Sequence, residues 1–219
     1  MPLSDRDYMR TSRGRWSSSQ GRSTRGFLDF GINPVFAIII ANIVLYIAVL
    51  FAPNLQGTNV DKFTYYLGLI PHYFTERPWT IFTAMFIHDG FWHLFFNMLV
   101  LFFFGSYLSR LVGNNWFTLV YFVGGLAGNL LYLVLGNEYT IAVGASGAIY
   151  AVAGALAVLV PNLRIWVWFV IPLPLWVVVL VIFVVLSFSP GVAWQAHIGG
   201  LIIGLLAGFY LRRNRRFVF

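Results

Sequence analysis

The chain has 219 residues, 59% of them apolar and only 10% charged, with a mean hydropathy of +0.79. Soluble domains carry about 25% charged residues, so a water-soluble globular class is excluded. The net charge of +7 is gathered in two terminal tails rather than along a folded face, which argues against a nucleic-acid partner, and the absence of cysteine removes disulfide and thiolate chemistry.

Nearly continuous apolar runs, without the dyad alternation of a barrel, point to helices that cross a bilayer. The fold class expected is an all-α, polytopic bundle of six membrane-spanning helices. Residues 1–31, with Arg6, Arg10, Arg13, Arg15, Arg22 and Arg25, hold too little apolar area to order themselves and read as a disordered basic tail. Their Arg/Ser bias loosely resembles a transit peptide, although Asp5 and Asp7 speak against one, and no signal-peptide pattern is present. The membrane domain is expected over 32–211, with a basic tail over 212–219.

The first span is expected at about Asn33–Phe51, ended by Pro53. A loop over 52–78 follows, too rich in aromatics and charges for a simple tether. The next spans are expected at about Phe91–Leu108, Trp116–Leu135, Ser146–Val160, Ile165–Phe188 and Val192–Leu211. With both termini cytoplasmic, twelve Lys/Arg lie inside against Lys62 and Arg77 outside, the asymmetry that sets membrane orientation. Spans two, four and six then run from outside to inside. At the helical rise per residue, His93, Asn97, Ser146 and His197 fall within roughly 10 Å of the outer boundary. The Lys/Arg asymmetry is independent of these four residues, so their common depth supports a shared site.

Ser146 lies in Val143-Gly144-Ala145-Ser146-Gly147-Ala148. An intramembrane serine is ordinarily a small packing residue. Here Gly144 permits a strained turn, and the amides of a helix start can face an anion. The segment is not the G-x-S-x-G elbow of α/β-hydrolases. His197 reads either as an interfacial histidine bonded to a loop carbonyl or as a functional base, since ionisable groups in membrane helices are costly. Gly200, Gly204 and Gly208 form a four-residue ladder on nearly its face, and Gly147, Ala151 and Ala155 form a matching stripe. Spans four and six should therefore pack closely and bring His197 Nε2 to Ser146 Oγ. Tyr150, one turn after Ser146, is either an interior aromatic or a ring stacked on the imidazole.

His93 and Asn97 are four apart, about 40° round a helix, and share a face. They read either as an interhelical clamp or as donors to a developing oxyanion. His88 is off that face and reads as a brace for the first external loop. No His-Glu-x-x-His or similar pair suggests a metal, and the acids lie in tails and loops, so a carboxylate dyad is not available. A transporter would need polar faces reaching the cytoplasmic side, whereas spans four and six are apolar beyond their first turns. A non-catalytic binder of membrane helices would be expected to lack the serine or the histidine.

On these motifs the sequence resembles the rhomboid family of intramembrane serine proteases. The resemblance is carried by His88-x-x-x-x-His93-x-x-x-Asn97, Gly144-Ala145-Ser146-Gly147 and Ala196-His197-x-x-Gly200-x-x-x-Gly204, and covers roughly Asn33 to Leu211. It implies Ser146 as nucleophile, His197 as general base, and an oxyanion hole from the His93 and Asn97 side chains with the Ser146 N–H. It further implies Tyr150 packed on the histidine, loop 52–78 partly in the outer leaflet, Ser187–Ala193 as a cap and span five as a lateral gate. Two departures stand out. Trp79 is followed by Thr80 where many members have Trp-Arg, which bears on the anchoring of the first loop. Ser109-Arg110 replaces an acidic residue common near the end of span two. The expected function is cleavage of transmembrane-helix proteins near the outer face of a membrane of prokaryotic type, in contact with the lipid bilayer and without metal or other cofactor.

Overall fold

The computed structural model describes residues 33–57, 60–167 and 170–214. The expectations for the N-terminal tail, and for Arg215 and Arg216, lie outside the described residues.

Helix α1, Pro34–Leu50, starts where the Asn33 side chain accepts the Val35 N–H at 2.9 Å and Pro34 occupies the first turn, where its missing donor costs nothing. Helix α2, Phe91–Val112, begins at Gly90 (φ 87°) and stops at Gly113 (φ 92°), both in the left-handed region that favours glycine. Its middle, Leu101–Gly105, is one turn of π-helix. Helix α3 follows at once as Asn114–Leu135, then α4 as Ser146–Leu159, and α6 closes the bundle as Trp194–Asn214.

The fifth apolar run departs from its expected form. Only Leu175–Ser187 is helical (α5), and its Val178–Phe183 portion is π-helix. The residues before it form an antiparallel pair, β1 (Arg164–Val167) and β2 (Ile171–Pro174), in the register Arg164↔Pro174 to Val167↔Ile171. Pro172 and Pro174 explain the change: neither can donate within a helix, and a proline ring clashes with the preceding turn. Pro174 stands just before the first residue of α5, where that restriction ends.

Among the described residues three helices, α2, α3 and α6, are long and apolar enough to cross a membrane; α1, α4 and α5 are apolar but 10–17 residues long. Helix α4 is the centre of the molecule, with every residue from Gly147 to Leu159 buried. It is flanked by α6 along the predicted glycine seam. A methyl group on Gly200 would overlap the Gly147 carbonyl, and one on Gly204 the Ala151 carbonyl. A methyl on Gly208 would lie 2.9 Å from the Ala155 oxygen. Helix α3 completes the trio, with Gly124 against Ala151 and Gly128 against the Ala196 carbonyl. Small residues let backbones approach where lipid supplies no hydrophobic drive between helices.

Among the described residues, Asp61, Glu76, Asp89 and Glu138 lie in connections at the end of the bundle where α4 begins. Arg110, Arg164, Arg212 and Arg213 lie at the opposite end.

Candidate active site

The segment leading into α4 is held from below. Leu69 and Ala142 exchange backbone hydrogen bonds at 3.0 and 2.8 Å, and the Gly144 N–H donates to the Ala84 carbonyl at 2.9 Å. Gly144 has φ 122°, and a Cβ there would lie 2.8 Å from His93 Nε2 and 3.7 Å from Ser146 Oγ. Glycine is needed twice over, for the backbone angle and for the space between two polar side chains.

That turn delivers Ser146 to the first position of α4, and the seam delivers His197 to the first turn of α6. Oγ and Nε2 are 2.7 Å apart, a hydrogen bond between residues 51 apart in sequence. The Tyr150 ring stacks on the imidazole with centroids 4.1 Å apart and planes 17° from parallel. His93, Asn97, Ser146 and His197 line one cavity of about 380 Å³, with Asp89 and Ile141–Val143 on one side and Pro190–Ala193 over it. At rest one Asn97 Nδ2 hydrogen goes to the His93 carbonyl at 2.7 Å, which leaves the other available to a ligand.

Two residues stand differently from their sequence reading. His88 is buried, its ring centroid 5.0 Å from that of His93, and its Nε2 accepts the Ala145 N–H at 3.5 Å. Helix α2 starts only at Phe91, so helical spacing does not govern His88, and the bend at Gly90 returns it to the site. Burial, with the neighbouring His93 adding to it, holds the His88 imidazole down at about 3, so it is neutral at physiological pH. The second is Ser187, at the end of α5, which the sequence reading placed only at the edge of a cap. It is fully buried, and its Oγ lies 3.0 Å from His197 Nδ1, 2.9 Å from the Phe183 carbonyl and 2.8 Å from Tyr150 Oη. A serine closing an otherwise apolar run, ten residues before the histidine, was the signal.

The first loop is anchored despite Thr80. Arg77 is buried, donates from Nη1 to the Tyr65 carbonyl at 2.6 Å, and sits over the Tyr65 and Tyr73 rings at 4.4 and 4.6 Å. Trp79 Nε1 donates to the Tyr66 carbonyl at 3.1 Å, and Thr83 Oγ1 to Leu67 at 2.7 Å. The cation stands two residues before the tryptophan instead of one after it. Among the described residues no group of three or more His, Asp or Glu is placed to hold a metal ion.

The Rhomboid domain family model matches residues 75–214, which takes in α2 through α6 and the whole of this cavity's Ser146 and His197 walls. The chain belongs to the rhomboid family. Members of that family are intramembrane serine proteases, and this one is a multi-pass membrane protein. It is 32% identical over 169 residues to rhomboid protein 1, mitochondrial, of Saccharomyces cerevisiae, covering 68% of this chain and 46% of that one. It is 26% identical over 220 residues to RHOMBOID-like protein 4 of Arabidopsis thaliana, covering 88% of this chain and 56% of that one. Over 77 residues it is 40% identical to putative rhomboid protease YdcA of Bacillus subtilis, covering 35% and 38% of the two chains. The rhomboid chain described here spans about half the length of the curated relatives it matches.

Proposed function

We propose that the chain is an intramembrane serine endopeptidase that cleaves transmembrane-helix proteins near the outer face of the membrane. The observation that carries this reading is the 2.7 Å contact between Ser146 Oγ and His197 Nε2, held by a backbone-to-backbone seam inside an apolar bundle. A serine needs an adjacent base to become a nucleophile, and this pair lines a cavity that His93 and Asn97, two potential oxyanion donors, share. In the proposed step His197 Nε2 takes the Ser146 proton as Oγ attacks the scissile carbonyl. The Ser146 N–H, the free Asn97 Nδ2 hydrogen and His93 Nε2 receive the oxyanion across Gly144. His197 then returns the proton to the leaving amine, and a water entering from the external side repeats the cycle on the acyl-enzyme.

The same reading makes all six helices membrane spans, with the domain over 32–211 and both basic tails cytoplasmic. The described arginines Arg110, Arg164, Arg212 and Arg213 at the end away from Ser146, against Lys62 and Arg77 at the Ser146 end, support that orientation. The short α4 ends within the bundle rather than facing lipid, so its 14 residues need not match the bilayer thickness. Residues 187–193 act as the cap and α5 as the gate. The substrate helix must unwind at the cut, because a helical carbonyl is already hydrogen-bonded. A prokaryotic cell membrane is the proposed location; the relatives include both mitochondrial and bacterial proteins.

The test is labelling of the purified protein in liposomes with a serine-directed fluorophosphonate, alongside Ser146→Ala and His197→Ala. Labelling of the wild type alone is expected, with cleavage of a transmembrane substrate lost in both variants. Substantial cleavage by Ser146→Ala would falsify the mechanism.

A further inference from the structure

We propose that Ser187 is a positioning residue for His197, accepting the Nδ1 proton, and that it works from α5, so that the base is competent only while α5 is seated. The inference rests on the protease reading and adds to it a third member and a point of control.

A histidine acting as base must present a bare Nε2 and therefore carries its proton on Nδ1. Once it has taken the Ser146 proton it carries both, and a buried Nδ1–H without an acceptor is costly. The described carboxylates lie in connecting loops, and the group in contact with Nδ1 is the Ser187 hydroxyl at 3.0 Å. That hydroxyl could donate or accept, so its own surroundings decide. Its one proton has two competing destinations, the Phe183 carbonyl at 2.9 Å and Tyr150 Oη at 2.8 Å. Tyr150 in turn donates to the same carbonyl at 2.6 Å. With the serine proton drawn that way, its lone pairs face Nδ1. The chain therefore runs from His197 Nδ1–H to Ser187 Oγ, and from Ser187 Oγ–H to the Phe183 carbonyl or Tyr150 Oη. No net charge is buried.

Both the acceptor and its orienting carbonyl belong to α5. Phe183 ends the π-helical portion of that helix and stacks on Phe104 of α2, itself in a π turn, at 6.2 Å and 18°. π turns inside α-helices frequently occur at functional sites. A displacement of α5 from α2 carries Ser187 and the Phe183 carbonyl away from His197 together, while the α4–α6 seam keeps Ser146 and His197 side by side. Entry of a helix past α5 thus weakens the base until α5 returns, and catalysis is tied to closure.

The experiment compares fluorophosphonate labelling rates, melting temperatures and 15N-histidine spectra for the wild type, Ser187→Ala and Ser187→Thr in liposomes. The small probe reaches Ser146 without a substrate helix, so gate passage does not enter the rate. Expected for Ser187→Ala is a labelling rate about tenfold to a hundredfold lower, a mixture of His197 tautomers where the wild type is protonated at Nδ1, and recovery of most of the rate in Ser187→Thr. Unchanged labelling in Ser187→Ala, or a loss that follows the melting temperature and is not recovered by threonine, overturns the proposal and leaves the protease reading standing. A folded wild type that does not label overturns the protease reading itself, and the tautomer spectrum separates the two failures.

Discussion

The two ring nitrogens of His197 face two kinds of packing. On the Nε2 side, α4 and α6 meet backbone to backbone, with Gly200 and Gly204 set directly on the carbonyls of Gly147 and Ala151. On the Nδ1 side, α5 meets its neighbours through side chains, Phe183 against Phe104 and Tyr150, and Ser187 against the imidazole. A glycine-to-carbonyl seam admits one register, because no rotamer can absorb a displacement. An aromatic interface can repack. The seam therefore sets the distance between nucleophile and base, and the α5 side sets the orientation of the ring.

Gly204→Ala attacks the first of these and carries the largest expected effect. Its methyl would overlap the Ala151 carbonyl, and both partners are backbone, so the helices must part. A loss of about 3 kcal/mol or more, or failure to fold, is expected. Thermal melting in detergent reads it, and a variant within a few degrees of wild type would show that the seam is looser than it looks. Asn97→Ala leaves both packings untouched and removes a donor, so its cost should fall on the rate alone, about 10²–10³ in kcat. An equal fall in melting temperature would instead make Asn97 an interhelical clamp.

The seam was the part most legible in the sequence. A four-residue glycine ladder near a histidine, facing a matching small stripe after a serine, has few other uses, and the pairing of Ser146 with His197 follows from it. The α5 side was not legible to the same degree. Its apolar residues fit a long span, but Pro172 and Pro174 carried the contrary signal and shorten the helix to Leu175–Ser187. Ser187 looked like part of a turn because hydrophobic periodicity says nothing about which ring nitrogen a hydroxyl will meet. Arg77 was hidden for a related reason. Its anchoring of the first loop depends on Tyr65 and Tyr73, which come together only when the loop folds. His88 braces the segment before Ser146 through the Ala145 N–H, a contact that helical spacing could not show because His88 lies outside the helix.

Phe104→Ala carries the smallest expected effect and sharpens the comparison most directly. The ring is half-buried, stacked on Phe183 at 6.2 Å, and set in a π turn of α2. Its removal takes away side-chain contact only, and both helices expose apolar side chains such as Phe103 and Val185; in the proposed membrane-spanning arrangement hydrocarbon chains can occupy part of the space. A destabilisation of about 1 kcal/mol is expected, below the cost of a sealed core cavity. Fluorophosphonate labelling should fall only slightly, since Ser187, Tyr150 and the Phe183 carbonyl keep their hydrogen bonds to one another. If Phe104→Ala instead matched Gly204→Ala in melting temperature, the α5 side would be as rigid as the seam. The proposed division of labour around His197 would then be wrong.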